Sequence, residues 1–164
     1  YVGIESTIVD CTRAAPVLLR PGVITPQQLS EACGVTVITP NAPDADAPRA
    51  SGTLESHYAP TARVRVMSAT DLQAALHAHA TTSEDLGRVA VWAHSAIQIP
   101  VDQTQRFQWQ PMPQAAAACA HQLFAQLRAF DAQGVAQIWV EAPPACAEWD
   151  GVRDRLTRAA TPTR

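Results

Sequence analysis

Three short stretches carry side chains that could do chemistry. In GIESTIVD, Glu5, Ser6 and Thr7 interrupt a run otherwise built for burial. Successive side chains on a strand point to opposite faces, so one of the two hydroxyls must meet a partner or a cleft. On periodicity alone, a cross-strand hydrogen bond accounts for it; a substrate contact is the alternative. Arg20 follows Val17, Leu18 and Leu19 and precedes the turn-forming Pro21-Gly22. Its planar fork of donors matches two oxygens at once, which suits a phosphate or a carboxylate. An ion pair with Glu5 or Asp10 fits the local sequence equally well. The third stretch is ASGTLESHYAP, Ala50 to Pro60, where Gly52 permits close backbone approach and His57-Tyr58 set two aromatic, hydrogen-bonding side chains just before a strand. Such rings on a loop can stack on a nucleobase and close a site against water. Read only as a linker, the same pair pins a tether to a domain surface.

The elements that would position these residues follow from pattern. ESTIVDCT and APVLLRPG are rich in β-branched and aliphatic residues and are separated by Arg13-Ala14-Ala15, which predicts neighbouring strands in a hairpin. A helix follows: Thr25 is the N-cap, Pro26 the first helical residue, Gln28 completes a capping box and Gly34 is the stop, with Leu29 and Cys33 expected to face a core. PNAPDADAP, Pro40 to Pro48, has the composition of an extended linker, which places a domain boundary there. Beyond Pro60, ARVRVMS reads as a strand, and a capping box at Thr70 and Gln73 predicts a helix through about His79. GRVAVWA, RFQWQPM and AQIWVEA read as further strands. Ala116, Ala120, Leu123, Leu127 and Phe130 mark a long helix ended by Gly134, and EWDGVRDRLTRAA a closing one with Val152, Leu156 and Ala159 or Ala160 inward. Strands alternating with helices predict a small parallel α/β sheet covered on both faces.

Composition narrows the function classes. With 164 residues, 47% hydrophobic and 16% charged, the chain can bury an ordinary core. A net charge of -3 and the lack of any basic run argue against a nucleic-acid binder. Cys11, Cys33, Cys119 and Cys146 are widely spaced, without a CxxC pair or metal-ligand spacing, and read as buried thiols in a reducing compartment. No apolar run reaches the ~18 residues of a membrane span. A cytoplasmic protein is expected. The sequence opens on YVGIESTIVD, already strand-like and without an initiator Met, as a cut inside a domain would.

GIESTIVD, PVLLRPGVIT, a variable tract and APRASGTLESHYAP, in this order, resemble the threonylcarbamoyl-AMP synthase family. Its longer members join a YrdC-like catalytic domain to a Rossmann-like C-terminal domain through a loop ending in HYAP. LFAQLRAFDAQGVAQIWVEAPP and VRDRLTRAA are similar to the last helix, strand and helix of that second domain. The resemblance implies an α/β protein in three parts: residues 1–40 closing a YrdC-like domain, 41–61 a linker and lid loop, and 62–164 a small Rossmann-like domain. Many members read Ser-Pro-Gly-Met where this chain reads Ala50-Ser51-Gly52-Thr53.

The activity so implied is synthesis of L-threonylcarbamoyl-AMP from L-threonine, bicarbonate and ATP, with Mg2+ accompanying the ATP and pyrophosphate released. The product would pass to the proteins that transfer the threonylcarbamoyl group to adenosine in tRNA, with no direct nucleic-acid contact and no membrane expected of this chain. By resemblance Ser6 lies on the threonine side of the cleft, Arg20 contacts ATP, and Tyr58 and His57 belong to the loop over the nucleotide. The N-terminal part of such a catalytic domain is not in this sequence, so the chain alone is expected to be inactive. A competing reading is a non-catalytic nucleotide- or partner-binding regulatory module, with Asp131, Glu141, Asp154 and Arg155 as its polar candidates at the carboxyl ends of the strands. For each, a surface salt bridge or a helix cap is the role the sequence favours.

Overall fold

The computed structural model describes residue 4, residues 6–40, 48, 60–81, 87–99 and 105–161. An antiparallel hairpin comes first, β1 (Ile8–Asp10) with β2 (Val17–Arg20). Its register steps by one residue between the pairs Ile8–Arg20 and Val9–Leu18. Such a bulge bends the strand and re-aims a side chain, and here Arg20 is buried beside Val17 and Leu18. Helix α1 (Pro26–Cys33) begins as its sequence predicts. Thr25 Oγ1 accepts from the Gln28 N–H, Gln28 Oε1 accepts from the Thr25 N–H, and Gly34 closes the helix at φ 71°, donating to the Ser30 carbonyl. Leu29 and Cys33 do not face a core: α1 has no buried residue and Cys33 is exposed. A two-stranded hairpin offers no full layer for a helix to pack on.

The second unit is doubly wound. Strands β3 (Arg63–Met67), β4 (Val89–Ala93), β5 (Phe107–Pro111) and β6 (Gln137–Glu141) form a parallel sheet in the order β3-β6-β4-β5. Its alternating side chains feed two cores. On one face Val89, Val91, Ala93, Phe107 and Trp139 meet Leu72 and Leu76 of α2 (Ala69–Thr81). On the other, Val64, Ala90, Trp92, Ile138 and Val140 meet Leu123, Leu127 and Phe130 of α3 (Ala116–Ala132) and Val152 and Leu156 of α4 (Asp150–Ala160). Helix α2 starts two residues earlier than a cap at Thr70 implies. Ser68 Oγ accepts from the Asp71 N–H, and Gln73 instead pairs with the backbone of Gln98 in both directions. Trp109, on edge strand β5, is 42% exposed.

Three of the four thiols read as buried are exposed. Cys11, Cys33 and Cys146 lie on the surface and only Cys119 is interior, where burial pushes its thiol up to about 12. The three lie in loops or on the unpacked α1, and Cys119 lies on the inward stripe of α3.

Candidate functional site

The first two of the chemically suggestive stretches are brought together. Arg20 is 3% exposed, and its guanidinium donates from Nη2 to the Ser6 carbonyl at 2.9 Å, with Nε at 3.3 Å. Asp10, one of the acids considered for it, is otherwise engaged: it accepts from the Thr12 hydroxyl at 2.6 Å, the Thr12 N–H at 2.9 Å and Arg13 Nε at 2.9 Å. The Thr12 hydroxyl, then its N–H, then Arg13 hold the Asp10 carboxyl below its usual range, against the opposing effect of burial. Glu5 lies outside the described residues.

The adjacent hydroxyls divide, although both residues precede β1. Thr7 Oγ1 donates to the Ile24 carbonyl at 2.7 Å, whereas Ser6 is exposed. A structural partner therefore accounts for Thr7, in the segment between β2 and α1 rather than across a strand, and Ser6 faces outward. His57 and Tyr58 lie outside the described residues.

The turn after Arg20 is wedged from two sides. A Cβ on Gly22 would lie 2.3 Å from Thr7 N and 2.7 Å from the Ser6 carbonyl carbon. From the other side, a Cβ on Gly151 of α4 would lie 2.5 Å from Ile4 Cδ1 and 3.1 Å from Gly22 O. Beside it, buried Arg155 donates to the Pro21 carbonyl at 3.3 Å and to Asp154 at 2.5 Å. Asp154 is also gripped by Arg158 at 2.9 and 3.0 Å. The α/β unit thus touches the hairpin directly behind the Ser6–Arg20 pair.

The other polar candidates also have structural partners. Asp131, at the end of α3, accepts from the N–H groups of Thr61 and Ala62 and so fastens the entry to β3. Glu141 ends β6 at the carboxyl edge, where it accepts from the N–H and hydroxyl of Ser95, both at 2.8 Å. Next to it, His94 stands edge-on to Trp149, ring centroids 5.0 Å apart, and burial holds its imidazole below the ordinary value against the opposing effect of Glu141. Sequence reading passed over His94, Ser95 and the close-approach roles of Gly22 and Gly151. A glycine in the first turn of an amphipathic helix was the available signal for the last of these. Among the described residues no group of three or more His, Cys, Asp or Glu side chains could hold a metal ion, and no helix is long and apolar enough to cross a membrane.

A doubly wound α/β unit whose last helix, α4, buttresses a hairpin carrying an Arg-Pro-Gly turn can be set beside known proteins. Residues 24–161 match the family described as threonylcarbamoyl-AMP synthase, C-terminal domain, and the chain belongs to that family. Curated relatives include the threonylcarbamoyl-AMP synthases of Bacillus subtilis, 38% identical over 66 residues, and of Pyrococcus abyssi, 38% identical over 68 residues. Each match takes in 40% of this chain but only 19% and 20% of those proteins. The crystal structure of P. abyssi Sua5 complexed with L-threonine superposes with a TM-score of 0.75 at 25% identity, over 97% of this chain and 46% of that one.

Proposed function

We propose that this chain is the C-terminal portion of an L-threonylcarbamoyl-AMP synthase acting in tRNA modification. The family match over residues 24–161 carries the reading. The likeness over 97% of the chain to a structure described as a threonine complex supports it. In the proposed reaction the threonine amine forms a C–N bond with the carbon of bicarbonate as water leaves. An oxygen of the resulting carbamate then displaces pyrophosphate from the α-phosphorus of ATP, leaving a mixed anhydride with AMP. Ser6, exposed beside a strand pinned by Arg20, serves the threonine side. Arg20 serves the ATP phosphates, and Tyr58 with His57 covers the adenylate. Mg2+ enters only as the ion accompanying ATP. The product is consumed by the proteins that transfer the threonylcarbamoyl group to tRNA, in the cytoplasm.

The surface of the hairpin unit is consistent with a missing neighbour. Among the described residues Val23, Ile24, Val35 and Ile38 are 45–51% exposed, and only Trp109 of the other large apolar side chains is comparably open. Several open large apolar side chains on one small unit support a place where more protein packs. Half a cleft cannot orient three substrates, so the chain alone is inactive and the complete synthase active. Pyrophosphate release and adenylate formation from ATP, L-threonine and bicarbonate test this directly. In the complete protein Arg20→Lys lowers kcat/KM by roughly tenfold or more, the loss of a charged hydrogen bond worth about 1.5–3 kcal/mol. A complete protein that forms no adenylate overturns the assignment, as does turnover by the chain alone for the placement of the cleft.

A further inference from the structure

We infer that the C-terminal α/β unit takes part in the reaction as a positioning element: α4 sets the Pro21–Gly22 turn, and through it Ser6 and Arg20, with Arg155 as the positioning residue. The inference rests on the function proposed above, and gives the second unit a task in the synthesis of the adenylate rather than in binding a ligand of its own.

The turn is the middle layer of three. Ser6–Thr7 backbone lies on one side within 2.7 Å of a would-be Gly22 Cβ, and α4 lies on the other within 3.1 Å of the Gly22 carbonyl from a would-be Gly151 Cβ. Neither glycine has a positive φ, a property confined among the described glycines to Gly34, Gly87 and Gly134. Both positions are therefore small for reasons of space. A helical glycine costs about 1 kcal/mol relative to alanine, and at Gly151 that cost accompanies an approach to Gly22 O and the Ile4 tip that a Cβ would make only by displacing one of them. The buried face of α4 continues at Arg155, one turn on, whose guanidinium crosses to the Pro21 carbonyl.

Two buried guanidinium groups thus bracket the turn. Arg20 reaches back to the Ser6 carbonyl, and Arg155 reaches across to the Pro21 carbonyl. Each holds main chain, so what they fix is the path of the backbone that carries the substrate contacts. Apolar side chains of similar volume would fill such a space at equal or better stability. What the ionic group supplies is direction, through a planar guanidinium whose Nη1 donates to both Asp154 and the Pro21 carbonyl. Losing Arg155 does not strand Asp154, which stays paired with Arg158. A folded variant is therefore expected.

The test is made in the complete synthase with Arg155→Met, Arg155→Lys and Gly151→Ala, beside Arg153→Ala. Arg153 leaves the same helix to hold the Pro144 carbonyl within the α/β unit, and does not touch the turn. Misplacement of reacting groups by about 1 Å can cost ~100-fold, so Arg155→Met should lower kcat/KM for L-threonine by ~10- to 100-fold, chiefly through kcat. Arg155→Lys should recover part of the loss, Gly151→Ala should fall in the same direction, and Arg153→Ala should stay within twofold of wild type at a similar melting temperature. Amide exchange at Thr7, Ile8 and Arg20, measured on the same proteins, should speed up in Arg155→Met alone of the two arginine truncations. Wild-type activity with an unaffected Arg155→Met overturns the inference. A wild type that forms no adenylate overturns the function proposed above, and the exchange rates then decide the docking role: unchanged protection in Arg155→Met rules it out.

Discussion

Replacing Gly22 by alanine is the sharpest test of the layered packing behind Arg20. The added Cβ would lie 2.3 Å from Thr7 N and 2.7 Å from both the Ser6 carbonyl carbon and Thr7 Oγ1. To restore a separation of ~3.5 Å the Ser6–Thr7 strand must retreat by about 1 Å. That retreat takes the 2.9 Å bond from Arg20 to the Ser6 carbonyl out of range. Overpacking costs about 1–3 kcal/mol, and since two of the three colliding atoms are backbone the upper half of that range applies. With a urea m-value of ~1–3 kcal/mol/M, the unfolding midpoint should drop by roughly 0.7–3 M. Gly34 is the matched control with the opposite cause: nothing lies within 4 Å of its would-be Cβ, but its φ is +71°. Gly34→Ala should lose about 1–2 kcal/mol, and Gly34→Asn less, because asparagine tolerates that backbone. Asparagine at position 22 should be at least as damaging as alanine. Urea titrations of the four variants by circular dichroism decide it. A Gly22→Ala midpoint equal to wild type, or an asparagine rescue at position 22, would refute the steric account.

Iodoacetamide at mildly alkaline pH should label Cys11, Cys33 and Cys146 in the native protein and spare Cys119, which is buried with its thiol pushed up to about 12, until urea is added; equal labelling of all four in the folded state contradicts this. His94 is held below its ordinary value by burial, so the folded state favours the neutral ring. The stability this represents is complete above the unfolded pKa of about 6.5 and is lost as pH falls through the folded value. The melting temperature of wild type should therefore fall more steeply than that of His94→Gln between pH 7 and 5, and parallel slopes would remove His94 as the cause. For Asp10, whose carboxyl is held low chiefly by Thr12, the contribution is present above about pH 4 and lost below it; Asp10→Asn should flatten the acid limb of the same titration.

Much of the architecture was legible because it follows from short-range rules. The nearly unbroken apolar runs of VAVWA and QIWVE mark strands buried on both faces, the three-and-four spacing of Leu123, Leu127 and Phe130 marks one apolar helix face, and these faces then find each other. Thr25, Pro26, Gln28 and Gly34 delimit α1 because capping acts within one turn. The same rules misled where packing partners mattered. Ser68 outcompeted Thr70 because α2 starts as soon as β3 ends, and Leu29 and Cys33 sit on a stripe with no layer to cover it.

The sequence by itself determined the order of elements, the two apolar faces of the parallel sheet, and, through the succession of GIESTIVD, LLRPG and HYAP, the family to which the chain belongs. Only the tertiary structure decided that β6 slots between β3 and β4, that Arg20 turns inward through a bulge onto the Ser6 carbonyl, and that Arg155 reaches Pro21 across 134 residues of chain. The reason is range: periodicity and caps are set by neighbours a few residues away. The space left at Gly22 and Gly151 is set by surfaces that meet only once the whole chain has folded.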